Sequence, residues 1–345
     1  MMEPQKVSLT EQQVKDLLNA IKQVTVCVIG DVCLDLYWYA DMKRSRLSRE
    51  TPHYPLPVVR ESYTPGGCGN VMNNVHALGV KQLLPISVVG CDWRGFLLTG
   101  WLRQHGIDTT NMVQSERGLT PCYCKPMRMG ISDVIYEDPR LDFENFEPIT
   151  KADEEAVLAA LDAAAKTADV IAVSDQYHYG VITPRVRDAL SALAKRMPVI
   201  VDSRERAGEY TGVIVKPNEV EAAQAIGRDI TGKTLTEEEY ADIACALQRK
   251  NGRPVVVTLG ERGALWCDEN TLQFAPTVKA GPPVDIVGAG DTFLSAFSAA
   301  LAAGAPGGQA LSFANLASGV TVKKIGTTGT ATGEEILQKY RENYA

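Results

Sequence analysis

The chain has 345 residues, 45% of them hydrophobic and 22% charged, which allows a large buried core and excludes a disordered chain. A formal net charge of −7, with no basic run, excludes an extended nucleic-acid-binding surface. No stretch reaches the ~20 apolar residues of a membrane helix, and the opening MMEPQKVSLTEQQ has no apolar signal core, so a cytoplasmic protein with no membrane partner is expected.

Leu9, Val14, Leu17, Leu18 and Ile21 recur at helical spacing and predict a helix over 8–23. The run VTVCVIGD (24–31) reads as a buried strand entering a loop. The same form returns in LLPISVVGCD (83–92), ADVIAVSD (168–175), PVIVDSR (198–204), GVIVKPN (212–218) and PVVVTLG (254–260). Near-continuous β-branched runs of this kind belong to strands covered on both faces. Alanine-rich helices are predicted between them, at 152–167 and 184–196. The alternation implies a mostly parallel sheet with helices on both sides, an α/β fold. Segments 35–65 and 119–138 break the rhythm; alternation at Tyr37 and Tyr39, and at Cys122 and Cys124, predicts antiparallel strands of a small β-sheet lid. No repeat or linker intervenes, so one domain spanning 1–345 with the lid as an excursion is expected. Eight scattered cysteines lack metal-ligand spacing and read as reduced thiols. His53, His76, His105 and His178 show no metal or triad spacing, and His178 alone is a candidate for touching a ligand.

Ligands of such sheets bind beyond the carboxyl ends of the strands. The most informative stretch is GPPVDIVGAGDTFLSAFSAALAAG (281–304), a glycine turn running into a helix with Phe293, Leu294, Phe297 and Leu301 on one face. Gly288, Ala289 and Gly290 allow close backbone approach, and first-turn amides stabilise an anion. Two readings of Asp291 stand: a favourable first-turn acid, or a base aimed at a hydroxyl beside amides that hold a phosphoryl group.

DIVGAGDTF resembles the DTxGAGD signature of the ribokinase (PfkB) family of carbohydrate kinases, with Ile286 where Thr is usual. The resemblance implies a ribokinase-like three-layer αβα core, an anion hole at Gly288, Ala289 and Gly290, and Asp291 as catalytic base. GDVCLDLYW (30–38) places Asp35 where the family binds substrate hydroxyls. PGGCGNVMNNVHALG (65–79) is similar to the family's GGxxxN element, implying substrate contacts from Gly66, Gly67 and Asn70; alone it reads as a turn and an N-cap. KPNEVEA (216–222) resembles NxxE, so Asn218 and Glu221 would organise Mg2+ through water, although alone it reads as a helix cap. Lys216, Thr258, Gly260, Gly263 and Asn315, with Asn218, would line the nucleotide, ATP. Asp285 would bind a monovalent cation such as K+.

Within the family the pattern is most similar to that of kinases of D-glycero-D-manno-heptose 7-phosphate, on GDVxLDxYWY, PxPVV (55–59), PGGxxNV, KPMR (125–128) and RLDFENF (140–146). In a chain of 345 residues, the nucleotidyltransferase domain fused to some of them is not expected. The resemblance implies that lid cations, Lys125 and Arg128 with Arg44 or Arg46 as further candidates, face an already phosphorylated sugar. SDQYHYG (174–180) and DSR (202–204) depart from the usual SDYxKG and DPK. The expected activity is phosphoryl transfer from ATP to a hydroxyl of a sugar or sugar phosphate. A kinase of a nucleoside, fructose phosphate or hexose, or a non-catalytic sensor on the same fold, are the alternatives. Exposed lid edges would pair two copies as a homodimer.

Overall fold

The computed structural model describes residues 3–233 and 235–344. Ten strands form the main sheet, in the order Gln5–Lys6, Leu272–Pro276, Gly263–Cys267, Val255–Thr258, Ile214–Val215, Val199–Ser203, Val170–Asp175, Thr25–Gly30, Gln82–Gly90 and Met112–Ser115. All neighbours are parallel except around Gly263–Cys267, which runs against both of its partners.

The expected strands are buried on both faces, and the reason is visible residue by residue. Val26 and Val28 enter one core layer, Cys27 and Ile29 the other; Val170 and Ala172 part from Ile171 and Val173 in the same way. Helices Lys151–Ala164, Pro184–Leu193 and Glu237–Asn251 cover the second layer. Helices Ala289–Ala302 and Gly307–Thr321 cover the first. Ala289–Ala302 is so rich in alanine that it is buried almost all round, with Phe297 fully enclosed. The helix predicted over 8–23 spans Glu11–Ile21, opened by a capping box on Thr10 and Gln13. No described helix is long and apolar enough to cross a membrane.

The lid is a second sheet. Its path is Val58–Gly67, Val32–Asp41, Cys122–Met129 and Tyr136–Glu137, with Leu141–Phe143 also on Cys122–Met129. It begins earlier than expected and extends past 138. One expectation is corrected: Val32–Asp41 is antiparallel to Val58–Gly67 but parallel to Cys122–Met129. Both of the latter strands leave the core outward, and the chain between them passes back through the main sheet, which is the kind of connection a parallel pair requires.

Asp31 joins the two parts. It is buried, and its carboxylate accepts the amides of Gln176 (2.8 Å), Tyr177 (2.9 Å) and Val181 (2.6 Å), pinning the loop after Val170–Asp175 beside the first lid strand. Replacing Asp31 by Ala strands one buried and two half-buried donors and should cost about 3 kcal/mol. A urea titration checks this: the midpoint should fall with the slope unchanged, and an unmoved midpoint would contradict it.

Candidate active site

A cleft of about 550 Å³ opens at the carboxyl ends of Val199–Ser203, Ile214–Val215 and Val255–Thr258. It gathers Lys216, Asn218, Glu221, Thr258, Gly260, Gly263, Asn315 and the turn Gly288–Asp291 into one wall. Asp202 and Gln176 also line it; neither is anticipated as a site residue, although both sit in the two segments where the sequence departs from pattern. Buried Lys216 pairs with Asp202 at 3.0 Å, next to Gly290. Asn315 donates to the carbonyls of Ala275 and Pro276 at 2.9 and 3.3 Å, which fixes the rim.

At the turn, Gly288 adopts φ 77°, and a Cβ there would strike the Asn70 amide. The Ala289 amide already donates to the Ile286 carbonyl at 3.1 Å. The Gly288, Gly290 and Asp291 amides donate to no protein acceptor among the described residues, so they are free to meet an anion. Asp291 does not cap its helix; its carboxylate accepts from Asn70 Nδ2 at 2.8 Å instead. Asp291 is nonetheless the acid of its helix's first turn, so the two readings stand together. Burial pushes the Asp291 carboxyl up to about 7; the Asn70 hydrogen bond and Lys216 oppose the shift, while Asp202 and Asp35 add to it.

Asn70 reaches Asp291 because the helix starts earlier than expected. Gly67, at φ 54°, is the N-cap of Cys68–Ala77, so Asn70 lies inside the first turn with its side chain released from capping. Gly66 abuts Asp35: a Cβ would collide with its carboxylate and come within 2.7 Å of Cys33 Sγ. Asp35 itself is buried and pairs with Lys125 at 3.1 Å, and Lys125 also donates to the Tyr37 hydroxyl at 3.0 Å. Lid register explains this, since Tyr37 stands opposite Lys125. Lys125 is thus brought into the site, but as a partner of Asp35 and not as a free cation. Arg128 stays on the outer lid in a bidentate pair with Asp138, and Arg44 pairs with Asp41 at 3.2 Å. His178 is exposed beside Glu205, at 3.7 Å.

Asn218 and Glu221 form a reciprocal helix cap. Asn218 Oδ1 accepts the Val220 and Glu221 amides, both at 2.9 Å, and Glu221 accepts the Asn218 amide at 2.8 Å. Both also face the cleft, and burial together with the Asp202 charge raises the Glu221 carboxyl. Excess negative charge on hard oxygen donors fits Mg2+. The described residues contain no cluster of three or more His, Cys, Asp or Glu suited to a metal, so such an ion would complete its shell with phosphate and water. Asp285 binds the Val287 amide at 3.0 Å and the Gly326 amide at 2.8 Å, bracing the glycine turn. All eight cysteines are free. A wider cleft of about 670 Å³, lined by Arg94, Asn145 and Tyr179, lies beyond Gln82–Gly90 and contains none of the predicted residues.

Asp291→Asn tests the half-buried carboxylate without any substrate. A carboxyl whose folded value lies above its ordinary one favours the folded state at low pH and loses that contribution as pH rises through about 7. The Asn variant should therefore gain melting temperature over the parent above pH 7, with the gain shrinking towards pH ~4. Equal differences at pH 5 and pH 8 would refute the burial argument.

Residues 24–332 match the pfkB family carbohydrate kinase domain. The Bifunctional protein HldE of Geotalea uraniireducens is 33% identical over 335 residues, which cover 96% of this chain; the chain spans 66% of that relative's length. Phosphofructokinase-2 from Escherichia coli, solved in complex with fructose-6-phosphate, aligns with a TM-score of 0.71 at 18% identity over 94% of this chain and 99% of its own. Ribokinase from Arabidopsis thaliana, solved with ribose and ATP, aligns with a TM-score of 0.66 at 18% identity over 92% and 98%. These likenesses establish the ribokinase-like fold.

Proposed function

The chain belongs to the pfkB family of carbohydrate kinases, and from that premise we propose that it transfers the γ-phosphoryl group of ATP to a hydroxyl of a sugar phosphate, D-glycero-D-manno-heptose 7-phosphate being the acceptor its sequence favours. The observation that carries the reading is Asp291: a carboxylate drawn towards neutrality, held at 2.8 Å by Asn70 and set beside uncommitted helix-start amides.

ATP lies along the cleft wall from Asn315 and Thr258 to the glycine turn, its terminal phosphoryl group at the Gly290 and Asp291 amides. Lys216 supplies positive charge there, and Asn218 and Glu221 are the residues that would hold Mg2+, which screens the phosphate charge when bound. The acceptor sugar lies under the lid with hydroxyls against Asp35, Asn70 and the backbone of Gly66 and Gly67. Asp291 accepts the proton of the attacking hydroxyl, which displaces ADP in line. Positioning and charge neutralisation supply most of the acceleration. Lys125 is the lid cation available to a phosphate, once that phosphate competes with Asp35 for it.

Asp291→Asn should lower kcat roughly 10²- to 10⁴-fold while leaving ATP affinity within a few fold. The parent's kcat/KM should rise with pH through about 7 as the base ionises. ADP release measured across heptose 7-phosphate, fructose phosphates, ribose, hexoses and nucleosides identifies the acceptor. Near-parental turnover in the Asn variant would remove Asp291 from its role. The same lid exposes Val58, Val59, Tyr136 and Leu141, apolar side chains that a second copy would cover. Light scattering at micromolar concentration should return the mass of a dimer; a monomer would refute that arrangement.

A further inference from the structure

The amide of Asn70 could in principle face Asp291 with either its NH2 or its oxygen, and only the first stabilises a carboxylate. Its orientation is decided by two residues that the sequence does not single out. Asn74, one turn further on and buried, has its Nδ2 among three acceptors: the Asn70 carbonyl (3.0 Å), Asn70 Oδ1 (3.1 Å) and the Gly329 carbonyl (3.2 Å). A flipped Asn74 would turn its oxygen onto those three oxygens. Asn74 Oδ1 is in turn met by the hydroxyl of buried Thr292 at 3.0 Å, a hydroxyl that also lies 3.1 Å from the Gly288 carbonyl. Asn70 Oδ1 is therefore held by Asn74, which leaves Asn70 Nδ2 for Asp291 at 2.8 Å. The chain of contacts leaves the backbone at Thr292 and returns to its neighbour Asp291.

We propose that Asn74 and Thr292 are positioning residues that fix the Asn70 amide as a one-way donor to Asp291. This rests on Asp291 being the base, and adds how that base is kept ionised. For a neutral Asp291 to donate its proton to Asn70, the amide would have to flip, placing its NH2 against the NH2 of Asn74. The network penalises that state and so favours the carboxylate, against burial. The charged groups facing Asp291 from the other elements are Asp202 on Val199–Ser203, Lys216 after Ile214–Val215, and Asp35 on the lid. None of them substitutes for a directed hydrogen bond: Asp202 and Asp35 push the carboxyl up, and Lys216 already pairs with Asp202 at 3.0 Å.

The test reads the titration directly. Protein labelled with 13C at the aspartate carboxyls, compared with its Asp291→Asn variant, isolates the Asp291 signal against pH and needs no acceptor. Asn74→Ala and Thr292→Val should each raise the midpoint by about one unit, and Thr292→Ser, which keeps the hydroxyl, should restore the parental value. With heptose 7-phosphate and MgATP, the acid limb of kcat should move by the same amount, about tenfold lower turnover a unit below the midpoint and little change at alkaline pH. If Asn74→Ala does not fold, the Thr292 pair decides alone. An unmoved midpoint, or a loss of kcat equal at every pH, overturns the positioning role. Asp291→Asn separates the two readings: if it is inactive while the midpoints stay put, only the positioning inference falls, and if it turns over normally, the base assignment falls.

Discussion

A carboxylate placed under a protein's surface must be answered by donors, and much of this molecule follows from how Asp291 is answered. Its partner comes from a helix more than two hundred residues away in sequence, and the two helices meet again where Ser295 Oγ lies within hydrogen-bonding distance of the Val71 and Asp291 carbonyls, at 3.0 and 2.7 Å. Beside Asp291, the side chains of Thr292 and Ser295 reach Cys68–Ala77 from helix Ala289–Ala302, and both are small enough to let the two helices come that close. Core packing and site geometry are thus one construction: the residues that tie this helix to its neighbour also hold its first turn at the head of the cleft.

The remaining charged groups are arranged in pairs. Lys216 answers Asp202, Lys125 answers Asp35, and Arg206 answers Asp175 beneath the loop that Asp31 pins. Lys216 and Lys125 thus have internal partners, whereas Arg204, which also lines the cleft, has no ion pair among the described residues. Such pairing keeps the cleft from collapsing around uncompensated charge, and it orients side chains before a ligand arrives, so less ordering has to accompany binding.

Most of the architecture was legible in the sequence, for a simple reason: strands buried on both faces are apolar without interruption, and this chain repeats that form six times, at 24–31, 83–92, 168–175, 198–204, 212–218 and 254–260. What failed was direction and boundary. Alternation in the lid announces strands but carries no sign of parallel or antiparallel pairing, which is set by where each strand leaves the core. The helix over Cys68–Ala77 started earlier than Asn70 suggested, because a glycine at positive φ, not the asparagine, turned the chain. Among the cleft residues, those in glycine-rich or Asn-rich segments were readable. Asp202 was visible only as a departure from pattern. Asn74 and Thr292 lie inside the two quoted motifs, yet their role was not readable there, since their hydrogen bond spans 218 positions of the chain. At Asn218 and Glu221 the two competing readings were not exclusive: the pair caps a helix and faces the cleft at once.

The parallel pairing of the lid has a consequence for how the protein is made. A hairpin can close as soon as its two arms leave the ribosome, and Val32–Asp41 with Val58–Gly67 is such a unit. The other side of Val32–Asp41 must wait for Cys122–Met129, which is placed only after the chain has returned through Gln82–Gly90 and Met112–Ser115. The hydroxyl of Thr328 then bonds Thr64 and Pro65 at 3.1 and 3.3 Å, joining a residue near the end of the chain to the lid's root. Contacts of such long separation form late. A nascent chain therefore carries its ligand-facing groups unassembled until synthesis is nearly complete.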